Sequence, residues 1–260
     1  MILEQIVSSV RETLARRQSE RTLSDLERAI AGQALPRDLA RALKGQGIRL
    51  IAEVKRASPS KGLLCPNLDV SALARTYSQA GAAAISVLTE GRHFRGSLAD
   101  LAAVWRAVDL PLLDKDFIVS PYQVYEARAY GADAVLLIAA ILSQAEMKGL
   151  LKTIHQLGMT ALVEVHDVGE LGRVLALNPR VVGINNRHLG DFSVDLETTF
   201  RLRALIPEGT LVVSESGIHT WEEVERLEAA GVDAVLIGEA LVTSPDPGLK
   251  VAQLVGRFKA

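Results

Sequence analysis

A single cysteine, Cys65, stands in 260 residues. No disulfide can close within the chain, and a cysteine metal cluster is excluded. Cys65 sits beside Pro66 with no histidine near it in sequence, and it reads as a bystander thiol. Charge of one sign is also missing: 29 basic against 31 acidic residues leave a net −2, with no electrostatic footprint for nucleic acid or an anionic membrane. The longest apolar run, 134–142, is too short to span a bilayer. The five histidines are scattered, with His93, His155 and His219 on predicted loops or helix faces. His166 can share a face with Glu164, yet no His/Asp/Glu group has metal-ligand spacing. Gly45-Gln46-Gly47 precedes a strand and so is no dinucleotide turn, and neither a Walker nor a Gly-x-Ser-x-Gly pattern occurs. What remains is an ordinary globular composition, 48% hydrophobic and 23% charged.

Residues 1–17 are amphipathic, with Ile2, Leu3, Ile6, Val7, Val10 and Leu14 at helical spacing. Glu4, Glu12 and the lack of a small-residue cleavage pattern favour a surface helix over a leader, and a cytoplasmic protein is expected. Farther along, one phrase recurs: an amphipathic helix ends in glycine, and an apolar β-rich run begins a few residues later. It is found at Gly81, Gly131 and Gly231, with a weaker copy at Gly158. The intervals of 50 residues from Gly81 to Gly131 and 100 from Gly131 to Gly231 are multiples of about 25, the length of one strand, one helix and two short loops.

Strands are predicted near 49–54, 84–88, 110–113, 134–138, 161–165, 181–184, 211–213 and 234–237. Several are continuously apolar, as parallel strands covered on both faces are. Helices are predicted at 70–79, 98–107, 121–130 and 222–230, the third with Ser120 as cap and Pro121 at its first position. Eight strands and eight helices in about 210 residues predict a (β/α)8 barrel, with an open doubly wound sheet as the alternative. Residues 1–260 then make one barrel domain, and 1–48 form a helical extension packed across one end of it.

Barrel chemistry gathers where the strands end, because those loops share one mouth. The polar residues there are Glu53 and Lys55 after strand one, Lys115 after three, Glu164 after five, Asn185 and Arg187 after six, Glu215 and Ser216 after seven, and Gly238 and Glu239 after eight. Charges in such a mouth are costly unless paired with one another or with a substrate. Ser216-Gly217 and Gly238-Glu239 occupy the two loops that commonly hold phosphate in barrels. Residues 58–62, Ser-Pro-Ser-Lys-Gly, suit a rigid lid bearing hydroxyl and ammonium donors, or an ordinary turn. Leu88, Phe94, Phe117, Leu136 and Leu189 place an apolar wall at the rim, although aromatics are only 4% of the chain, and the wall suits a flat substrate.

The segments 51–62 (IAEVKRASPSKG), 115–118 (KDFI), 162–166 (LVEVH), 183–187 (GINNR), 214–218 (SESGI) and 238–241 (GEAL) resemble, in order, the signatures of the indole-3-glycerol-phosphate synthase family. That resemblance implies closure of 1-(2-carboxyphenylamino)-1-deoxyribulose 5-phosphate to indole-3-glycerol phosphate, with loss of carbon dioxide and water and no cofactor or metal. It implies that Lys115 protonates the sugar carbonyl and that Lys55, with Asn185 and Arg187 nearby, holds the anthranilate carboxylate. Glu164, Glu53 and Lys55 would serve the dehydration, and Glu215 the substrate hydroxyls. Ser58, Ser216, Gly217, Gly238 and Glu239 would hold phosphate. The ring would lie among Leu88, Phe94, Phe117, Leu136 and Leu189. Three positions depart from the family's habit: His188 where Asp is usual, His93 beside Phe94, and Asp114, which could pair with a cation or hold the strand end. The expected partner is a phosphorylated small molecule, not nucleic acid or membrane, and the expected state is a monomer or weak homo-oligomer. Phosphoribosylanthranilate isomerase, which needs a Cys/Asp acid–base pair, and a non-catalytic phosphate-binding barrel are the competing readings.

Overall fold

A computed structural model describes residues 2–188, 190 and 192–256 of the chain. Eight parallel strands close into a barrel: β1 (Arg49–Val54), β2 (Ala84–Leu88), β3 (Leu112–Lys115), β4 (Ala134–Ile138), β5 (Thr160–Val165), β6 (Val181–Asn185), β7 (Leu211–Glu215) and β8 (Ala234–Ile237). Each pairs with the next, and β8 pairs with β1 through Arg49↔Ala234 to Ala52↔Ile237. The barrel, rather than the open sheet, is therefore the fold. Two strands extend farther toward the mouth than the apolar runs suggested. β3 starts after Pro111, which has no N–H to give a neighbour, and carries on to Lys115. β7 carries Ser214 and Glu215 within the sheet, because Asn185 and Ile184 pair with them.

Alternation sorts the strand side chains into two cores. Ile51, Ala84, Leu113, Leu136, Leu162, Val213 and Leu236 pack inside the barrel. Leu50, Val87, Leu112, Leu137, Val163, Val182 and Val235 pack outward beneath the helices. Both faces are covered, which is why the strands read as unbroken apolar runs.

The helices that follow the strands are α4 (Val70–Ala80), α5 (Leu98–Ala107), α6 (Pro121–Ala129), α7 (Gln144–Gln156), α8 (Val168–Leu175), α9 (Glu197–Arg203), α10 (Trp221–Ala229), and, after β8, α11 (Glu239–Val242) with α12 (Pro247–Leu254). Side chains of Asp69, Ser97, Ser120, Ser143, Asp167, Thr220 and Asp246 accept hydrogen bonds from first-turn N–H groups. The recurring glycines Gly81, Gly131, Gly158 and Gly231 all have positive φ and turn the chain from helix to strand. The aspartates of that phrase stitch the sheet: Asp133 accepts from the Leu112 N–H at 2.9 Å, and Asp233 from the Val212 N–H at 2.8 Å, each at the start of the preceding strand.

The N-terminal segment forms α1 (Ile2–Glu20), α2 (Leu23–Ala31) and α3 (Leu39–Ala42). It touches both ends of the barrel. Leu39, Ala40 and Leu43 plug the floor inside the strands, α2 packs on α6, and Ile2, Leu3 and Ile6 reach the mouth. The Tyr122 hydroxyl reaches the carbonyls of Arg17 at 2.9 Å and Arg21 at 2.7 Å, and Arg17 pairs with the buried Glu126 at 3.1 Å.

Candidate active site

Inward-pointing residues at the C-terminal ends of the strands surround a cavity of about 420 Å³. Its floor is charged. Lys115, on β3, lies with its Nζ 3.1 Å from Glu215 Oε2 of β7 and 3.4 Å from Glu164 Oε2 of β5. Lys55, just past β1, lies with its Nζ 2.7 Å from Glu53 Oε1. The three carboxylates are buried and the two ammonium groups nearly so, which makes these paired charges in a poorly solvated place.

The surroundings set the protonation states. Burial works against the Lys115 ammonium, but the carboxylates of Glu215, Glu164 and Glu53 outweigh it and hold its pKa well above the ordinary lysine range. Burial likewise works against ionised Glu164. Lys115, His166 and a hydrogen bond from Asn185 outweigh that and hold Glu164 far below the usual carboxylate range. Glu215 goes the other way: burial, helped by the neighbouring Glu164 charge, pushes it up to about 7 against the pull of Lys115. Two carboxylates flanking one lysine thus differ in proton affinity, the pattern that separates an acid from a base.

Backbone shape makes room for these groups. A Cβ on Gly238, at the end of β8, would overlap the Glu53 side chain, and one on Gly183, in β6, would overlap the Glu215 carboxylate. Ser216 (φ 68°) and Gly217 (φ 76°) are both left-handed, which turns the chain sharply after β7. That turn is held from outside by Asn186, whose amide donates to Ser214 Oγ and to the Ser216 carbonyl, both at 3.0 Å, and accepts from Thr199.

The rim is apolar on one side. The Phe94 and Phe117 rings lie 6.0 Å apart at 37°, beside Leu88 and Leu136. Glu90 forms the Phe94 loop by accepting backbone N–H bonds from Arg92, His93 and Phe94. After β8, Glu239 faces two cations, Lys61 at 3.9 Å and Arg187 at 4.0 Å. Ser58 belongs to a short hairpin, Ala57–Ser58 with Gly62–Leu63, which turns the expected loop of residues 58–62 into a small structured flap.

The profile of the indole-3-glycerol phosphate synthase family matches residues 3–254. The chain belongs to that family. The synthase of Parafrankia sp. is 52% identical over 97% of this chain and 94% of its own length. That of Dehalococcoides mccartyi strain 195 is 51% identical over 98% and 100%, and that of Trichodesmium erythraeum 47% identical over 100% and 90%. As a member of the indole-3-glycerol phosphate synthase family, the chain is a carboxy-lyase of tryptophan biosynthesis. The solved 3-hexulose-6-phosphate synthase of Salmonella typhimurium shares the barrel alone, at a TM-score of 0.64 and 11% identity over 81% of this chain and 99% of that one. A thiamine phosphate pyrophosphorylase from Pyrococcus furiosus shares it at 0.62 and 17%, over 84% and 96%.

Sixteen of the seventeen residues singled out from the synthase-like sequence line the one cavity; Leu189 lies outside the described residues. Asp114 faces outward and is buried. Among the described residues no cation forms an ion pair with it; it accepts the Thr89 hydroxyl at 2.6 Å, joining the ends of β2 and β3. Sequence reasoning missed Ile2, Leu3 and Ile6, because nothing in a helix's apolar stripe says which end of the barrel it reaches. It also missed Phe192, Val194 and Asp116 at the cavity wall. It set His166 aside, yet Nε2 of that ring stands 3.3 Å from Glu164 Oε1. The signal was present in the two-residue spacing, and only a metal was sought there. Among the described residues no cluster of three or more His, Cys, Asp or Glu is arranged to hold a metal, and no helix is long and apolar enough to cross a membrane.

Proposed function

We propose that this cavity closes the indole ring with Lys115 as general acid. The observation that carries the reading is Lys115 placed between Glu164 and Glu215 at the centre of the mouth, 3.4 Å and 3.1 Å away. Lys115 starts the cycle as an ammonium and gives its proton to the C2′ carbonyl oxygen as the carboxylate-bearing ring carbon attacks C2′. Carbon dioxide then leaves that ring carbon. The new hydroxyl departs as water, which needs one proton delivered to it and one removed from the ring system.

Glu164, held ionised, suits the removal, with Glu53 and Lys55 able to pass protons beside it. Lys55, Asn185 and Arg187 suit the anthranilate carboxylate, the two cations by charge and Asn185 by hydrogen bonding. Glu215, with a proton affinity near neutrality, suits hydrogen bonds to the sugar hydroxyls in either direction.

The left-handed pair Ser216 and Gly217, the start of α11 at Gly238 and Glu239, and Ser58 on the flap together suit the phosphate. Glu239 would serve it through its backbone N–H, with its carboxylate kept toward Lys61 and Arg187. Leu88, Phe94, Phe117 and Leu136 suit the flat ring; Leu189 is retained in that wall on sequence grounds. The large apolar side chains that remain exposed, among them Leu23, Leu35, Val168 and Leu205, sit on separate elements. This supports a monomer or weak homo-oligomer, and the biosynthetic role supports a cytoplasmic setting.

Lys115→Ala is expected to lower kcat by about 10²–10⁴, the range for a lost general acid, with the substrate still bound. Indole fluorescence after adding the carboxyphenylamino-deoxyribulose phosphate reads this directly, and turnover within threefold of the unaltered chain would reject the assignment. Product identification in the same assay separates synthase from isomerase chemistry, and product formation of any kind separates both from a binding barrel.

A further inference from the structure

Just behind Glu164 lies a largely buried imidazole that does not line the cavity. His166 follows the last residue of β5, and its ring is sandwiched between two carboxylates. Nδ1 hydrogen-bonds Glu170 Oε2 at 3.1 Å, and Nε2 stands at the ion-pair distance of 3.3 Å from Glu164 Oε1 without hydrogen-bond alignment. Glu170 is fixed in turn. It accepts the His166 backbone N–H at 2.8 Å, and it sits in the first turn of α8, where its own N–H is capped by Asp167 Oδ1 at 2.8 Å. The other oxygen of Glu164 faces Lys115, and Asn185 at the end of β6 helps hold the same carboxylate ionised. A chain of contacts therefore runs from the α8 N-terminus through Glu170, His166 and Glu164 to Lys115.

We propose that His166 is a positioning residue for the synthase reaction, clamping Glu164 so that one oxygen is engaged behind the pocket and the other is presented to Lys115 and the substrate. A carboxylate on a strand end can rotate about its side-chain torsions. Occupying Oε1 from behind removes that freedom and leaves Oε2 as the proton-accepting atom. The ring is held in the cationic form that attracts both carboxylates, bonding Glu170 through Nδ1 and facing Glu164 Oε1 as an ion pair through Nε2: burial opposes the charge, but Glu164 and Glu170 outweigh it and push the pKa up to about 10. These two are the charged groups that face the ring. Glu170 acts through His166 as the imidazole's anchor, the arrangement by which carboxylate–histidine pairs orient a catalytic partner elsewhere.

The inference rests on Glu164 taking part in catalysis as proposed above, and the two can be tested apart. Two isosteric cuts divide the ring. His166→Asn puts an amide near the Nδ1 position, keeping a donor for Glu170 but falling short of Glu164. His166→Gln puts its amide near Nε2 and keeps the donor to Glu164. The clamp predicts that H166N lowers kcat at least about tenfold with KM within about threefold, while H166Q stays within about threefold in both. A merely structural histidine predicts the reverse order, or no change. In the double variant E164Q/H166N, kcat is expected to be no lower than in E164Q alone, because His166 acts only through Glu164.

Equal activity of H166N and H166Q, or multiplicative losses in the double variant, would overturn the inference. Full activity of E164Q would instead remove the role given to Glu164 and the inference with it. If H166N does not fold, Glu170→Gln keeps the acceptor and drops the charge, and an unchanged kcat and pH profile in that variant would overturn the clamp as well.

Discussion

Gly238 illustrates how a missing side chain can be part of a charged site. From sequence it is a glycine in a phosphate loop; in space the absent Cβ is what lets Glu53 lie across the end of β8 toward Lys55. Gly238→Ala is expected to cost at least tenfold in kcat/KM and about 1–3 kcal/mol in stability from overpacking, read by kinetics and by denaturant unfolding. Asp114 carries a different prediction. Burial, with help from the Asp116 charge, pushes it up to about 8, well above the 3.8 of an unfolded aspartate. The folded state therefore binds the proton more tightly, and the group withdraws stability as pH rises from about 4 to about 8. Asp114→Asn keeps an acceptor for Thr89 and has no charge to develop, so its Tm relative to the unaltered chain should rise between pH 5 and pH 8. A gain of about 2–4 °C would correspond to ~1 kcal/mol in a chain of this size. A flat difference across that range would show that Asp114 does not titrate there. The charged residues themselves were readable, because strand alternation and barrel geometry dictate where a polar residue ending an apolar run must point. Their pairing was not readable: nothing local in Lys115 says that its partners are Glu164 and Glu215 rather than Glu53.

At the scale of elements, the N-terminal helix is where the sequence left most undecided. Its apolar stripe predicted a helix and a buried face, and both hold over Ile2–Glu20, with Ile6 and Val10 buried. Its placement depends on contacts far along the chain: Tyr122 to the carbonyls of Arg17 and Arg21, and Arg17 to Glu126. Tyr122→Phe removes the hydroxyl that donates toward those two carbonyls. Amide exchange in residues 2–20 is expected to speed up while the barrel strands keep their protection. KM is expected to rise several-fold more than kcat falls, because Ile2, Leu3 and Ile6 line the mouth and carry no group that can transfer a proton. Unchanged exchange in that helix would mean that its packing, rather than the tyrosine, holds it. The β3 and β7 boundaries teach a related lesson. Polar residues at a strand end look like loop when hydropathy alone is read, and they belong to the sheet because a neighbouring strand supplies their hydrogen bonds.

At the scale of the whole molecule, one barrel is packed from both faces and plugged at its floor by α3, so the extension and the barrel share buried side chains. We expect residues 1–260 to unfold as one domain: near-UV and far-UV signals should lose structure in a single coincident transition, and a separate early step confined to the N-terminal helices would contradict this. The sequence by itself determined the repeating strand and helix order, because apolar periodicity, helix-ending glycines and capping side chains are local properties. With the family signatures, it also determined which side chains would ring the mouth. Only the tertiary structure decided which of those charges face each other, that His166 stands behind Glu164, and that the first helix reaches the mouth while the third fills the floor. Those outcomes depend on barrel closure, which sets groups 49 and 100 positions apart within 3.5 Å of one another, and no local pattern encodes a distance of that kind.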